Sequence, residues 1–344
     1  MPQQWTSRFE AWPKVELHRH LPGAIRFETW WDIVTENEVA LPTTEPSQLK
    51  ALMTVSGQSS LKEFLRCFDT IDLCFVNDEA IERVTYEAIA DAVAEKIIYL
   101  ELRFSPTRMA QRANISTAKA IEAVISGRQR AVTDFPIEVG LIAGLSREMG
   151  VEKCAEEAEI ITDYAGRGIA GIDLLGNEAD FPAEWFAPIF QPIARRKELG
   201  ITIHAGEASG AESVRTAVLQ LGATRIGHGI RAEEDPAVAA LLKERGVTLE
   251  ICPTSNVQTA ATPDLSTHPL ARYLRAGIKV TINTDDPQVS QIDLAHEYGV
   301  AASGLGLTER EISQTLHYAV EVAFTTEQVK QRLKDALMAT ISNP

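Results

Sequence analysis

Thr281–Pro287 reads TINTDDP, a run of small and β-branched residues that ends in two adjacent carboxylates and a proline. Alone it describes a strand stopped by a turn, because Asp tolerates turn geometry and Pro cannot continue a ladder. Three other stretches change its meaning. ELHRH (Glu16–His20), ITIHAGE (Ile201–Glu207) and RIGHGI (Arg225–Ile230) each carry histidine at the end of a strand-like run.

Working outward from these four, strand-like runs recur at Lys14–His20, IIYLELRFSP, PIEVGLIAG, GIAGIDLLG, GITIHAGE, TRIGHGI, GVTLEICPTS and GIKVTINTDD, which makes eight. Segments of helical periodicity lie between them: Thr117–Thr133, Val151–Ala165, Ala183–Leu199, Ala211–Leu221, Asp235–Arg245 and Leu270–Ala276. Strands alternating with helices imply a parallel sheet, and eight repeats of the unit predict an α/β fold closed as a (β/α)8 TIM barrel. An open doubly wound sheet is the alternative, but no GxGxxG opens a first helix. The chain is expected to form a single domain over residues 1–344. Between the first two strands, residues 27–95 hold more chain than one crossover requires and read as a helical insertion acting as a lid. It comprises a helix over Phe27–Asn37, a Pro/Thr/Ser-rich loop over Leu41–Ser60, a helix carrying Leu61, Phe64, Leu65 and Phe68, and another from Asp78 to about Glu95. Beyond Gln291 the pattern is helical to the end.

A formal charge of −15, with Arg scattered among carboxylates, argues against a nucleic-acid partner, which needs clustered Lys and Arg. Cys67, Cys74, Cys154 and Cys252 form no CxxC pair and are expected to be reduced, buried thiols. The N-terminal residues lack a basic start followed by an apolar stretch, and no run approaches the roughly 18 apolar residues of a membrane span. A cytoplasmic protein without a membrane partner is expected; the oligomeric state is not readable.

His18 and His20 lie two apart on a strand, so both imidazoles share a face. Leu17 then faces the outer helices and Arg19 reaches past the strand end to solvent. An isolated HxH pair can be a polar patch at a barrel end, but His204, His228 and Asp285 also end strands, and barrel active sites assemble at strand C-termini. Three imidazoles and a carboxylate suit Zn²⁺, which lowers the pKa of a bound water toward ~7. His18, His20, His204 and Asp285 form the expected ligand set, with His228 either a further ligand or the group that orients the water and takes its proton. GIDLLG contains no lysine to bridge two metals, so one metal per chain is expected; Asp173 in that run could substitute. Glu207 follows His204 by three residues with Gly206 between, placing it as a general acid or, equally, in the first turn of the next helix. Asp285 and Asp286 cannot share a face of a regular strand. A bend before Pro287 would let one bind metal and the other face a substrate.

With these residues in view, the chain resembles the adenosine deaminases and their relatives in the amidohydrolase superfamily. KVELHRHLPGAI, SLKEFL, YLELRFSP, HAGE, RIGHG, CPTSN and NTDDP occur in the family's order from Lys14 to past Pro287. The resemblance implies one catalytic Zn²⁺ on His18, His20, His204 and Asp285, and hydrolytic deamination at C6 of an adenine nucleoside to its inosine counterpart plus ammonia. It implies that Glu207 protonates N1, that His228 positions and deprotonates the water, that Asp286 bonds at N7 and that the Gly176 N–H bonds at N3. Leu61, Phe64, Leu65 and Phe68 would cover the pocket. The cytidine-type solution, a His/Cys/Cys zinc with PCxxC, is absent.

One departure concerns the sugar. Nucleoside-specific members usually carry Asp after the His-Leu step to hold the 5′-hydroxyl, and this chain has Pro22, which offers no acceptor. Adenosines altered at the 5′ position, such as 5′-methylthioadenosine or aminodeoxyfutalosine, therefore stand as alternative substrates, as does adenine, although adenine deaminases usually read NSDDP. An amide or ester hydrolase with the same metal is a second enzyme reading, and a nucleoside binder without turnover a third. His268, His296 and His317 are read as structural, Arg103 as an ion pair within the barrel, and Ser255 and Asn256 as shaping the mouth.

Overall fold

Lys14–His20 (β1), Ile97–Phe104 (β2), Glu138–Ser146 (β3), Ile169–Leu175 (β4), Gly200–Ala205 (β5), Arg225–His228 (β6), Thr248–Ile251 (β7) and Val280–Ile282 (β8) pair in parallel, each with the next in the chain. These are the strands of a computed structural model that describes residues 2–340. All eight expected strands are present, and nearly every residue in them is buried, as strands covered on both faces by barrel interior and outer helices must be. The seam between β8 and β1 closes through Asp285 N–H to His18 O at 2.9 Å and His20 N–H to Asp285 O at 2.9 Å. Next to it, Leu17 N–H donates to Asn283 Oδ1 at 3.1 Å. Buried Glu16 accepts from Thr284 N–H at 3.2 Å and Thr284 Oγ1 at 2.9 Å. The TIM barrel is thus joined by the same residues that carry the two carboxylates to its mouth.

Residues 27–95 fold as helices Phe27–Glu36, Pro46–Met53, Leu61–Phe64, Cys67–Ile71 and Asp78–Ala94. Two of these depart from the sequence reading. The stretch read as a loop holds the helix Pro46–Met53, which Pro46 starts in its first turn and which buries Leu49 and Met53 one turn apart. The single helix expected through Phe68 is instead two short ones, with a capping box between Ser60 and Glu63 fixing the start of the first. Two further helices, Pro106–Ala113 and Pro253–Gln258, directly follow β2 and β7. Each begins with a proline that the sequence reading had included in a strand-like run.

Arg19 is a further difference. It does not reach solvent but is 1% exposed, bonding to Glu95 at 2.8 and 2.9 Å and to Glu16 at 3.3 Å. The end of helix Asp78–Ala94 brings Glu95 over the strand, and paired carboxylates make burial of the guanidinium tolerable. Beyond β8, helices Leu294–Ser303, Glu309–Val322 and Glu327–Thr340 follow, and Pro2–Phe9 packs on the first of them. All four cysteines are buried and unpaired. Among the described residues no helix is long and apolar enough to cross a membrane.

Candidate active site

The C-terminal ends of β1, β5, β6 and β8 converge on one point of the barrel mouth. Asp285 Oδ1 lies 3.3 Å from His18 Nε2 and 3.2 Å from His20 Nε2, and His20 Nε2 lies 3.3 Å from His204 Nε2. Four donors held tetrahedrally about an ion at 2.0–2.2 Å sit about 3.3–3.6 Å apart, so these atoms already have the spacing of a metal-ligand shell. His18 Nε2 is buried without a hydrogen-bond partner, an expense that a metal would remove. His228 stands slightly outside, its Nε2 4.0 Å from Asp285 Oδ2 and 3.6 Å from Glu207 Oε2. His18, His204, His228 and Asp285 also form a cluster whose ligand atoms all lie within 4.8 Å of one another.

The imidazoles are aimed from behind. His18 Nδ1 meets Glu250 Oε2 at 2.8 Å, and His204 Nδ1 meets Asp173 at 3.0 and 3.2 Å. Each carboxylate thereby fixes the tautomer that leaves Nε2 free to ligate. Arg103 bridges the two, at 2.8 Å to Asp173 and 2.8 Å to Glu250, while a third bond runs to Leu17 O at 2.7 Å. Arg225 adds an ion pair to Glu250 at 2.6 Å and another to Glu101. Burial alone would favour a protonated Glu250, but the guanidinium groups of Arg225 and Arg103 hold it well below the usual carboxylate range. Arg103 is therefore the buried ion pair that the sequence suggested, and it also organises the site. Asp173, weighed as a bridge to a second metal, has its oxygens occupied by Arg103 and His204.

The backbone bend anticipated at β8 is present. Asp285 has φ +65°, a left-handed conformation that turns its carboxylate toward the imidazoles. Its second oxygen accepts from Ser255 Oγ at 2.7 Å. Burial works against ionisation of Asp285, yet its contacts with His18 and His20 hold it well below the ordinary value. Asp286 is the opposite: burial, then the nearby Asp285 and Glu207, push its carboxyl well above that value, and its Oδ1 has no partner. A Cβ on Gly23 would sit 1.8 Å from that oxygen, so only glycine in LPGA lets Asp286 stand where it does.

Glu207 follows β5 on a turn that Gly206 makes at φ +71°. Burial, then Asp285 and Glu178, raise its pKa well above the ordinary value; Thr259 Oγ1 donates to its Oε1 at 2.9 Å. The turn is held by a residue that the sequence reading missed. Glu178 accepts the backbone N–H groups of Gly206, Glu207, Ala208 and Ser209 at 3.0, 2.6, 2.6 and 2.8 Å, and Ser213 Oγ at 2.7 Å. Burial keeps His228 neutral, far below the usual histidine pKa. Its Nδ1 lies 2.9 Å from the side-chain amide of Asn256, which reaches His268 on its other side at 3.3 Å. A base at Nε2 needs its hydrogen on Nδ1, which Asn256 accepts when it presents its oxygen, and the two orientations of an amide are equal in shape. His268 thus belongs to the support of His228, although it also precedes a helix as expected.

Around these groups lies a concave pocket at the barrel mouth. It is lined by His20, Glu207, His228, Asp286 and Gly176, and covered by Leu61, Phe64, Leu65 and Phe68. Every residue expected in the site lines this pocket except His18, which lies beneath it.

The adenosine deaminase family profile matches residues 13–340. An adenosine deaminase of Shewanella denitrificans is 39% identical over 322 residues, which is 93% of this chain and 97% of that protein. Among solved structures, the adenine deaminase of Arthrobacter aurescens aligns with a TM-score of 0.88 at 25% identity, covering 97% of this chain and 100% of that one. An amidohydrolase of Burkholderia ambifaria solved with bound Zn aligns with a TM-score of 0.84 at 25% identity, covering 97% and 94%. With a profile match over nearly its whole length and a (β/α)8 barrel whose strand ends gather histidines and an aspartate, the chain belongs to the adenosine deaminase family of metal-dependent aminohydrolases.

Proposed function

We propose that the protein deaminates adenosine, 2′-deoxyadenosine or a closely related purine nucleoside, using one Zn²⁺ held by His18, His20, His204 and Asp285. The observation that carries this reading is the approach of three Nε2 atoms and Asp285 Oδ1 to 3.2–3.3 Å beside the buried carboxyl of Glu207, whose pKa burial raises. Bound there, Zn²⁺ lowers the pKa of a water toward ~7 and so makes it a nucleophile at neutral pH.

Attack at C6 of an aromatic ring requires that the ring nitrogen accept a proton as the carbon becomes tetrahedral. Glu207 supplies it at N1. His228, neutral and 3.6 Å from Glu207, holds the water from the other side and takes its proton, which it can return to the departing ammonia. Asp286, whose carboxyl burial pushes toward its neutral form, bonds at N7, and the Gly176 N–H serves N3. Leu61, Phe64, Leu65 and Phe68 exclude bulk water from the base, which strengthens each of these contacts. The buried, unpaired cysteines fit a reducing compartment such as the cytoplasm.

A steady-state comparison of adenosine, deoxyadenosine, adenine and simple esters tests the reading. Ammonia release with a change in the purine absorbance is expected for the nucleosides; ester hydrolysis without it would transfer the site to the wider hydrolase chemistry. Adenine is the second reading, favoured by the fold shared with an adenine deaminase and by Pro22 standing where a 5′-hydroxyl acceptor is usual.

A further inference from the structure

In the reaction proposed above Glu207 gives a proton to N1 and is left as an anion. Its side chain is buried, 6% exposed, in the field of the Asp285 and Glu178 carboxylates. A buried carboxylate is costly unless donors meet it. Among the described residues one side chain donates to it: Thr259, itself 5% exposed, whose Oγ1 lies 2.9 Å from Oε1. Oε2 is left free on the other side, 3.6 Å from His228 Nε2. The two oxygens are therefore unequal, and Oε2 is the one open to carry a proton.

Thr259 has a second acceptor in reach. Its Oγ1 lies 3.0 Å from Ser255 O, the carbonyl that also accepts the Thr259 N–H at 2.8 Å. A hydroxyl has one hydrogen, so it cannot serve both acceptors fully at once. A bond to a charged carboxylate is roughly twice as strong as one to a neutral acceptor, so the hydrogen turns to Oε1 most completely once Glu207 is ionised. The hydroxyl is also held in place. Thr259 ends helix Pro253–Gln258, whose first turn is fixed by Glu297, the acceptor of the Thr254 N–H at 3.1 and 3.3 Å. Ser255 and Asn256 of the same helix bond Asp285 and His228. Gln258, next to Thr259, accepts from Ser290 Oγ at 2.6 Å and from the Ser59 N–H at 2.7 Å.

We propose that Thr259 is a positioning residue for the reaction: its hydroxyl holds Oε1 and turns its hydrogen from Ser255 O to that oxygen as the proton leaves Oε2. This rests on the reading of Glu207 as the general acid. No covalent bond to Thr259 forms or breaks; the hydroxyl rotates, and the proton passes from Glu207 Oε2 to N1. Because the hydrogen bond is strongest after the transfer, it favours the transition state over the substrate complex. Its loss therefore belongs in kcat and not in KM.

The test uses the metal-loaded enzyme with Thr259→Val, which keeps the shape and removes the hydroxyl, and with Thr259→Ser, which keeps the hydroxyl. On adenosine, kcat of Thr259→Val should fall by about 10-fold or more, the scale of a hydrogen bond to a charged group, with KM and metal content close to wild type. Thr259→Ser should recover most of that loss. Added to Glu207→Gln, Thr259→Val should cost little further, since the group it acts through is gone. Wild-type kcat in Thr259→Val, an equal loss in Thr259→Ser, a loss of metal, a change confined to KM, or losses that multiply in the double variant would each overturn the proposal and leave the reading of Glu207 standing. Glu207→Gln as fast as wild type, or no ammonia from adenosine or deoxyadenosine, would overturn that reading and this one with it.

Discussion

Glu178 holds the backbone of Glu207: its carboxylate accepts the Glu207 N–H at 2.6 Å and three neighbouring N–H groups besides, a small nest closed around an anion. Glu207, the proposed general acid, therefore sits on a turn whose shape depends on a residue from the preceding βα unit. Glu178→Gln replaces one acceptor oxygen with an NH2 that faces the same donors. We expect kcat to fall by about 10–100-fold, the scale of a small misplacement of a catalytic group, with metal content unchanged. Unaltered turnover in a folded variant would show that the turn holds itself.

Glu207→Gln removes the proposed proton donor and leaves the cluster of imidazoles in place. Turnover should fall by about 100-fold or more while metal stays near one per chain. Elemental analysis and initial rates on the same preparation separate the two effects. A variant as fast as wild type would reject the assigned role.

Glu250 acts through His18, whose Nδ1 it meets at 2.8 Å. Glu250→Gln keeps the shape but loses the charge that Arg103 and Arg225 are arranged around. Metal affinity should drop by about 10–100-fold, with activity restored by added metal. Competition with a chelator measures the affinity, and an unchanged value would reduce Glu250 to a packing role.

Glu157 gives a prediction about stability. It is 2% exposed, its Oε1 accepts the Thr107 N–H at 2.8 Å, and its Oε2 has no partner. Burial raises its pKa from 4.5 to about 7. The folded state thus holds a proton that the unfolded chain has released, and stability falls as pH rises from about 4.5 to 7. Glu157→Gln should flatten that part of the profile and add up to about 3 kcal/mol above pH 7, at roughly 1.4 kcal/mol per pH unit. Urea midpoints taken at several pH values check it; a variant with the wild-type slope would contradict the assignment.

Much of the barrel was legible because its chemistry and its geometry share an address. His18, His20, His204, His228 and Asp285 all end strands, and strand ends are found from apolar runs. What escaped was whatever depends on two units meeting. Glu178 serves a turn 28 residues away and has no local signature beyond its place after GN. Glu250 did leave a signal, a charge in the middle of the apolar strand TLEI, which implies a buried partner without naming it. Arg19 was misplaced for the same reason, since its partner Glu95 lies on a helix far along the chain. Pro106 and Pro253 misled in another way: each was included in a strand-like run, and each starts a helix.

His18, His20, His204 and Asp285 are proposed to hold one divalent ion that the reaction requires. Elemental analysis paired with adenosine turnover, on wild type and Asp285→Ala, tests it directly. The account predicts close to one zinc per wild-type chain, and loss of both metal and activity in the variant. A metal-free preparation with full activity would contradict it.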